Sequence, residues 1–180
     1  QPTNRFTAQS PVRVPELPEF IHSGRYWLAV GTLEPRKNHA RLVEAYDRYR
    51  MNAEDPLPLV LIGGQGWLME DFHRRYASAG LAEMIHLTGY VEDDELLWWY
   101  RNCFAFIYPS IFEGFGMPVL EAMGQSAAVI TSTVTSLPEV AGDAALLVDP
   151  YNVDEICAAM LKLAAGEVSR DRLRALAEQR

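Results

Sequence analysis

From Tyr26 onward the chain alternates short apolar runs with longer stretches in which apolar positions recur every three or four residues. Runs such as Leu59-Val60-Leu61-Ile62, apolar at every position, suit strands covered on both faces, as in a parallel sheet. The longer stretches, apolar along one stripe, suit helices that cover such a sheet. In order, the pattern predicts a strand from Tyr26 to Val30, a helix from His39 to Tyr49, a strand from Leu59 to Ile62, and a helix from Leu68 to Ser78. It then gives a strand from Ile85 to Leu87, a helix from Glu95 to Tyr100, a strand from Cys103 to Tyr108, and a helix from Met117 to Met123. A strand from Ala128 to Thr131, a short one from Ala145 to Val148, and helices from Val153 to Ala165 and Arg170 to Glu178 complete it. Repeated strand-helix alternation defines a doubly wound α/β domain with a parallel sheet.

Residues 1–22 stand apart. Segments such as Val14-Pro15-Glu16-Leu17-Pro18 cannot keep helical or ladder hydrogen bonds, so they read as a linker leading into one domain over residues 23–180. Asn38 is expected to cap the first helix, Asp93 or Asp94 the one from Glu95 to Tyr100, and Asn152 or Asp154 the one after Pro150.

In such a sheet a ligand sits beyond the carboxyl ends of the strands, which directs attention to the loops that follow them. The loop Gly31-Thr32-Leu33-Glu34-Pro35-Arg36-Lys37-Asn38 delivers two adjacent cations just ahead of a helix. A guanidinium that binds two oxygens at once, beside a movable ammonium, suits a diphosphate. The alternative is a solvated basic patch, although the positive end of a helix disfavours cations unless an anion joins them.

In Glu113-Gly114-Phe115-Gly116-Met117-Pro118-Val119-Leu120-Glu121, the proline fixes a first helical turn and the glycines leave the backbone open ahead of it. Amides near Gly116 and Met117 can then face an anion. Glu121 projects from the same face as Met117, roughly 6 Å farther along the axis, where a ribose joined to that anion would place its hydroxyls. Glu113 would face whatever is attached to the other end of the diphosphate. The plainer alternative makes Glu113 a turn residue and Glu121 an exposed helix position.

Composition narrows the classes. The 180 residues are 49% hydrophobic and 22% charged, an ordinary globular balance. A formal charge of −8 opposes binding to nucleic acid or anionic lipid outside a local basic exception. Cys103 and Cys157 form neither a C-x-x-C pair nor a secretory framework, which fits a reducing, cytoplasmic setting. No apolar stretch reaches the roughly 18 to 20 residues of a membrane span, and no signal-peptide pattern opens the chain. The chain begins at Gln1 rather than methionine, so the start of the gene product is expected to lie upstream.

Other signals have simpler explanations. Gly63-Gly64-Gln65-Gly66 resembles a dinucleotide fingerprint but lacks its third glycine, and reads as a tight turn. Glu92-Asp93-Asp94-Glu95 reads as helix-start acidity rather than a metal site. His22, His39, His73 and His86 show no zinc-ligand spacing. Trp98, Trp99 and Tyr100 read as packing residues, with a partner surface as the alternative.

Taken together, Gly31 to Asn38, the stretch from Tyr108 to Met123 and Thr135-Ser136-Leu137-Pro138-Glu139 resemble the GT-B fold glycosyltransferases of the retaining family 4. The resemblance runs from Tyr26 to Ala165 and implies a Rossmann-like, carboxy-terminal donor-binding domain. It implies that Arg36 and Lys37 bind the donor diphosphate, with Gly31 and Thr32 in the same loop. Glu113 would contact the transferred sugar and Glu121 the ribose. The backbone of Phe115, Gly116 and Met117 would meet sugar and phosphates, and Tyr90 and Val91 would lie beside the base. The implied chemistry is retaining transfer of a hexose from a nucleoside diphosphate sugar to an acceptor hydroxyl, with no cofactor or metal required.

Trp67 after Gly66 resembles the Gly-Trp of family members that use GDP-mannose, which is therefore favoured over UDP-glucose or UDP-N-acetylglucosamine. The resemblance further implies a saccharide or lipid-linked saccharide acceptor held by an amino-terminal domain outside these residues. Peripheral contact with the inner face of a membrane would come through that domain. An epimerase or phosphorylase on the same scaffold, and a noncatalytic nucleotide-sugar-binding module, remain the alternatives.

Overall fold

The computed structural model describes residues 5–7, 9–67, 70–77 and 80–179. Its strands are β1 (Trp27–Val30), β2 (Leu59–Ile62), β3 (Ile85–Gly89), β4 (Ala105–Tyr108), β5 (Val129–Ser132) and β6 (Ala145–Val148). All pair in parallel in the order β3-β2-β1-β4-β5-β6, the order of doubly wound nucleotide-binding sheets. The helices are α1 (His39–Asn52), α2 (Glu70–Tyr76), α3 (Asp93–Asn102), α4 (Met117–Gly124), α5 (Leu137–Ala141), α6 (Val153–Ala164) and α7 (Arg170–Glu178).

The two-residue period of a strand splits the core in two. Trp27, Ala29, Leu59, Leu61, Ile107 and Ile130 pack with residues of α1, α2 and α6. Leu28, Val60, Ile62, Phe106, Tyr108 and Val129 pack with residues of α3, α4 and α5. Full burial of such side chains contributes roughly 1.5–3 kcal/mol each, which explains strands apolar at every position. Buried polar residues enter at the carboxyl ends of β4 and β5. There the Thr131 hydroxyl donates to the Tyr108 carbonyl at 2.9 Å and the Ser132 hydroxyl to the Ser110 carbonyl at 2.7 Å.

The differences from the sequence pattern are local. Tyr26 precedes β1 and donates its hydroxyl to the Trp99 carbonyl at 2.8 Å, while Cys103 precedes β4. Helix α5 occupies a stretch expected to be loop; at five residues, opened by Pro138, it is too short to show a period. The expected helix ends Leu68 and Ser78 lie outside the described residues, between which α2 runs. Asn38 does not cap α1 through its side chain. It adopts a left-handed conformation (φ 63°), and its Nδ2 donates to the carbonyls of Pro109 at 2.9 Å and Pro150 at 2.7 Å, tying three loops together. Neither Asp93 nor Asp94 caps α3; the N-cap is Glu92, and both aspartates fall in the first turn. Asn152 does cap α6, accepting from the Glu155 amide at 3.1 Å.

The described part of the proline-rich segment packs on the domain: Phe6 and Ile21 are buried, and Arg13 pairs with Asp94 and Glu95 at the start of α3. Residues 1–4 and 8 lie outside the described residues. Among those described, no helix is long and apolar enough to cross a membrane.

His39, the first residue of α1, is buried, and its Nδ1 has no hydrogen-bond partner among the described residues. Burial, reinforced by the Lys37 charge, pulls its pKa down to about 4. The unfolded chain therefore binds more protons than the native state between about pH 4 and 6.5, so stability rises with pH across that window. His39 alone contributes a rise of about 3 kcal/mol. Urea unfolding of wild type and His39→Gln at several pH values checks this; parallel stability curves for the two proteins would refute it.

Candidate functional site

The order of the sheet reverses between β1 and β4, and at such a switch the loops leaving the two strands part to form a crevice. One loop carries Arg36 and Lys37, the other Glu113. The structure brings all three together. Arg36 lies in a single 3-10 turn (Pro35–Lys37), whose backbone is fixed across the crevice by the Ile111 amide, which donates to the Arg36 carbonyl at 2.9 Å; the Ser110 hydroxyl, also 2.9 Å from that carbonyl, shares its one proton between it and Glu113.

Glu113 sits at the centre, buried. Its Oε1 accepts from the hydroxyls of Tyr108 and Ser110 at 2.7 Å each and from Lys37 Nζ at 2.9 Å, while its Oε2 meets Arg36 Nη1 at 2.9 Å. Lys37 Nζ also donates to the Tyr108 hydroxyl and lies 5.0 Å from that ring's centroid. Arg36 reaches the Phe112 carbonyl at 2.9 Å and Glu34 at 2.6 Å. The backbone of Glu113 is held as well: its amide donates to the Thr135 hydroxyl, and the Ser136 hydroxyl donates to its carbonyl.

The electrostatics follow from this packing. Burial works to raise the Glu113 pKa, but hydrogen bonds from Lys37, Ser110 and Tyr108 outweigh it, so the carboxylate stays ionised below its usual range. Burial and the adjacent Glu113 charge push the Tyr108 phenol well above its ordinary value, keeping it a proton donor. Two cations and two carboxylates, Glu113 and Glu34, balance one another. Arg36 and Lys37 are thus already paired within the chain, with Glu113 between them. A ligand anion would meet the remaining donors: Lys37 has used two of three.

Helix α4 starts beside this cluster. Gly116 has φ 90°, a left-handed conformation that strains any other residue, and a Cβ there would stand 2.6 Å from Leu137 Cδ2, which would have to shift. The amide of Met117, ahead of the first intrahelical bond from Val119 to Gly116, is left without a helical acceptor. Phe115 is partly exposed.

Glu121 is buried, not exposed, and belongs to a second network. Arg5 Nε lies 2.8 Å from its Oε1, and the Tyr100 hydroxyl donates to its Oε2 at 3.1 Å. Burial raises its pKa against the opposing pull of Arg5 and Tyr100. A row of rings joins the two networks, with centroids 5.7 Å apart from Tyr108 to Phe106 and 5.4 Å from Phe106 to Tyr100.

Gly31 lies under the aliphatic chain of Lys37, and Thr32 beside it is exposed. Tyr90 is exposed and Val91 half-buried in the loop between β3 and α3, outside both networks. The glycines after β2 serve a close approach: a Cβ on Gly63 would stand 2.1 Å from the Gly31 carbonyl oxygen, and the Leu33 amide donates to the Gly64 carbonyl.

Sequence reasoning missed the roles of Tyr108, Ser110, Glu34 and Arg5. Tyr108 and Ser110 had an available signal, since they stand at the carboxyl end of a switch-point strand. Arg5 had none, because its contact with Glu121 spans most of the chain.

The chain belongs to the family described as "Glycosyl transferases group 1", whose profile matches residues 18–180. It is 45% identical over 138 residues to the O-antigen chain mannosyltransferase B of Escherichia coli, covering 76% of this chain and 36% of that protein. It is 37% identical over 150 residues to the serotype-specific mannosyltransferase WbdA of the same organism, covering 82% of this chain and 18% of that one. The chain thus spans roughly a third or less of these relatives. The fold is shared with Anabaena HepE in complex with UDP, at a TM-score of 0.73 and 18% identity over 86% of this chain and 44% of that one. This fold is that of the GT-B glycosyltransferases.

Proposed function

We propose that residues 23–180 are the donor-binding domain, and residues 1–22 the entry segment, of a retaining hexosyltransferase. The donor is a nucleoside diphosphate sugar, with GDP-mannose favoured. The observation that carries this reading is the meeting of Arg36, Lys37 and Glu113 within 2.9 Å contacts at the switch point, next to the start of α4. The mannosyltransferase names of two relatives support the sugar, and the UDP bound by HepE supports a nucleotide ligand.

As the glycosidic carbon-oxygen bond breaks, negative charge grows on the departing diphosphate. Arg36, Lys37 and the Met117 amide stabilise that charge more than the ground state, which is the condition for accelerating the step. Gly31 and Thr32 shape the same loop, and Phe115 and Gly116 border the sugar and phosphates. Glu113, held ionised, contacts the sugar, Glu121 accepts from the ribose hydroxyls, and Tyr90 and Val91 border the base. The acceptor is a saccharide or lipid-linked saccharide bound by a further domain, in the cytoplasm or at the inner face of a membrane.

Calorimetric titration with GDP, UDP and ADP tests the reading, with GDP expected to bind most tightly. Glu121→Ala should weaken every ribose-bearing ligand by about tenfold or more, the effect of losing hydrogen bonds to a charged group. Binding isotherms superimposable on those of the wild type would remove Glu121 from the site.

A further inference from the structure

The Glu121 network contains a residue that comes from outside the sheet and its crossovers. Arg5 spans two helices with one guanidinium: Nε lies 2.8 Å from Glu121 Oε1 on α4, and Nη1 lies 3.1 Å from Asp93 Oδ1 at the start of α3. Its placement is built rather than incidental. The next residue, Phe6, is buried with its ring 6.2 Å from that of Tyr100, and the Arg5 guanidinium lies 4.7 Å from the Phe6 centroid. Arg101 Nη2 fixes the following turn by donating to the Thr7 carbonyl at 3.3 Å.

We propose that Arg5 is a positioning residue for nucleoside recognition: it holds the Glu121 carboxylate, with Tyr100, so that two acceptor positions remain for the hydroxyls of a ribose. This rests on the reading of Glu121 as the ribose-binding carboxylate. A carboxylate offers about four acceptor positions. Arg5 takes one on Oε1 and Tyr100 takes one on Oε2, leaving one on each oxygen, a pair matched to vicinal hydroxyls. Because the fork also grips Asp93, Arg5 joins the ribose carboxylate to the helix that follows Tyr90 and Val91. The entry segment is therefore part of the nucleoside grip.

The groups that face Glu121 are Arg5, Tyr100 and the like charge of Asp93. Burial raises the Glu121 pKa and Arg5 is the first of the opposing influences. Without Arg5 the carboxyl takes up its proton at higher pH, and a protonated carboxyl loses an acceptor position.

The experiment titrates the 180-residue chain with GDP and UDP, each beside its 2′,3′-dideoxy form, for wild type, Arg5→Ala and Arg5→Lys. In wild type the ribose form binds more tightly. Arg5→Ala lowers that preference, the ratio of ribose to dideoxy affinity, by about tenfold, while an unchanged far-ultraviolet circular dichroism spectrum reports that the fold is intact. Arg5→Lys, which keeps the charge, restores most of it. In Arg5→Ala the preference also disappears at a higher pH than in wild type, a shift that a purely structural role would not produce. Wild type without any ribose preference would overturn the reading of Glu121 itself. A wild-type preference that Arg5→Ala leaves intact, or tighter ribonucleotide binding by Arg5→Ala, would overturn the role of Arg5 alone.

Discussion

Lys37→Ala is expected to lower the turnover of sugar transfer by roughly a hundredfold to a thousandfold in the two-domain enzyme proposed above, the range for removing one preorganised donor to developing negative charge. The lysine side chain is 11% exposed, so its charge acts in a region where water screens little. It is anchored by Glu113 and Tyr108, which means that no reorganisation is needed as charge shifts onto the diphosphate. Donor affinity should fall less than turnover, because the ammonium meets more charge in the transition state than in the bound donor. Arg36→Ala should cost less, since its side chain is 41% exposed and already shared with Glu34. Steady-state kinetics beside donor titration separate the two effects, and unchanged turnover in Lys37→Ala would remove it from the reaction.

The apolar pattern of the chain carries the doubly wound sheet because burial on both faces leaves no ambiguity in runs such as Leu59-Val60-Leu61-Ile62. The same pattern could not reveal α5, which is too short to show a period, or the ends of strands, where Tyr26 and Cys103 are as apolar as their neighbours. The site was legible where its chemistry is written within one loop: the Arg36-Lys37 pair, and the turn from Glu113 into α4. What joins the loops was not. Strand order decides that the loops after β1 and β4 face each other, and no local feature encodes it. Hence the direct bonding of Glu113 to both cations, the role of Asn38 in tying the Pro109 and Pro150 carbonyls, and the reach of Arg5 to Glu121 emerge only from the assembled sheet.

Glu113→Ala is expected to destabilise the chain by about 3–5 kcal/mol, because it strips the counter-charge from a buried lysine and leaves the Tyr108 hydroxyl without its acceptor. Arg36 can turn toward water and Glu34, so most of the cost falls on Lys37, which cannot. That asymmetry makes a double-mutant comparison decisive. Lys37→Met added to Glu113→Ala should recover a large part of the lost stability, since an apolar side chain removes the stranded charge instead of its partner. The pH dependence has a definite sign. The folded pKa of Glu113 lies below its ordinary value, so its contribution is present above the usual carboxylate range and is lost as pH falls through the folded value. Urea unfolding of wild type, Glu113→Ala, Lys37→Met and the double mutant at neutral and acidic pH tests all of this together. A Glu113→Ala protein within about 1 kcal/mol of wild type, or a double mutant no more stable than the single one, would mean that the cluster at the switch point is not the coupled charge system its geometry describes.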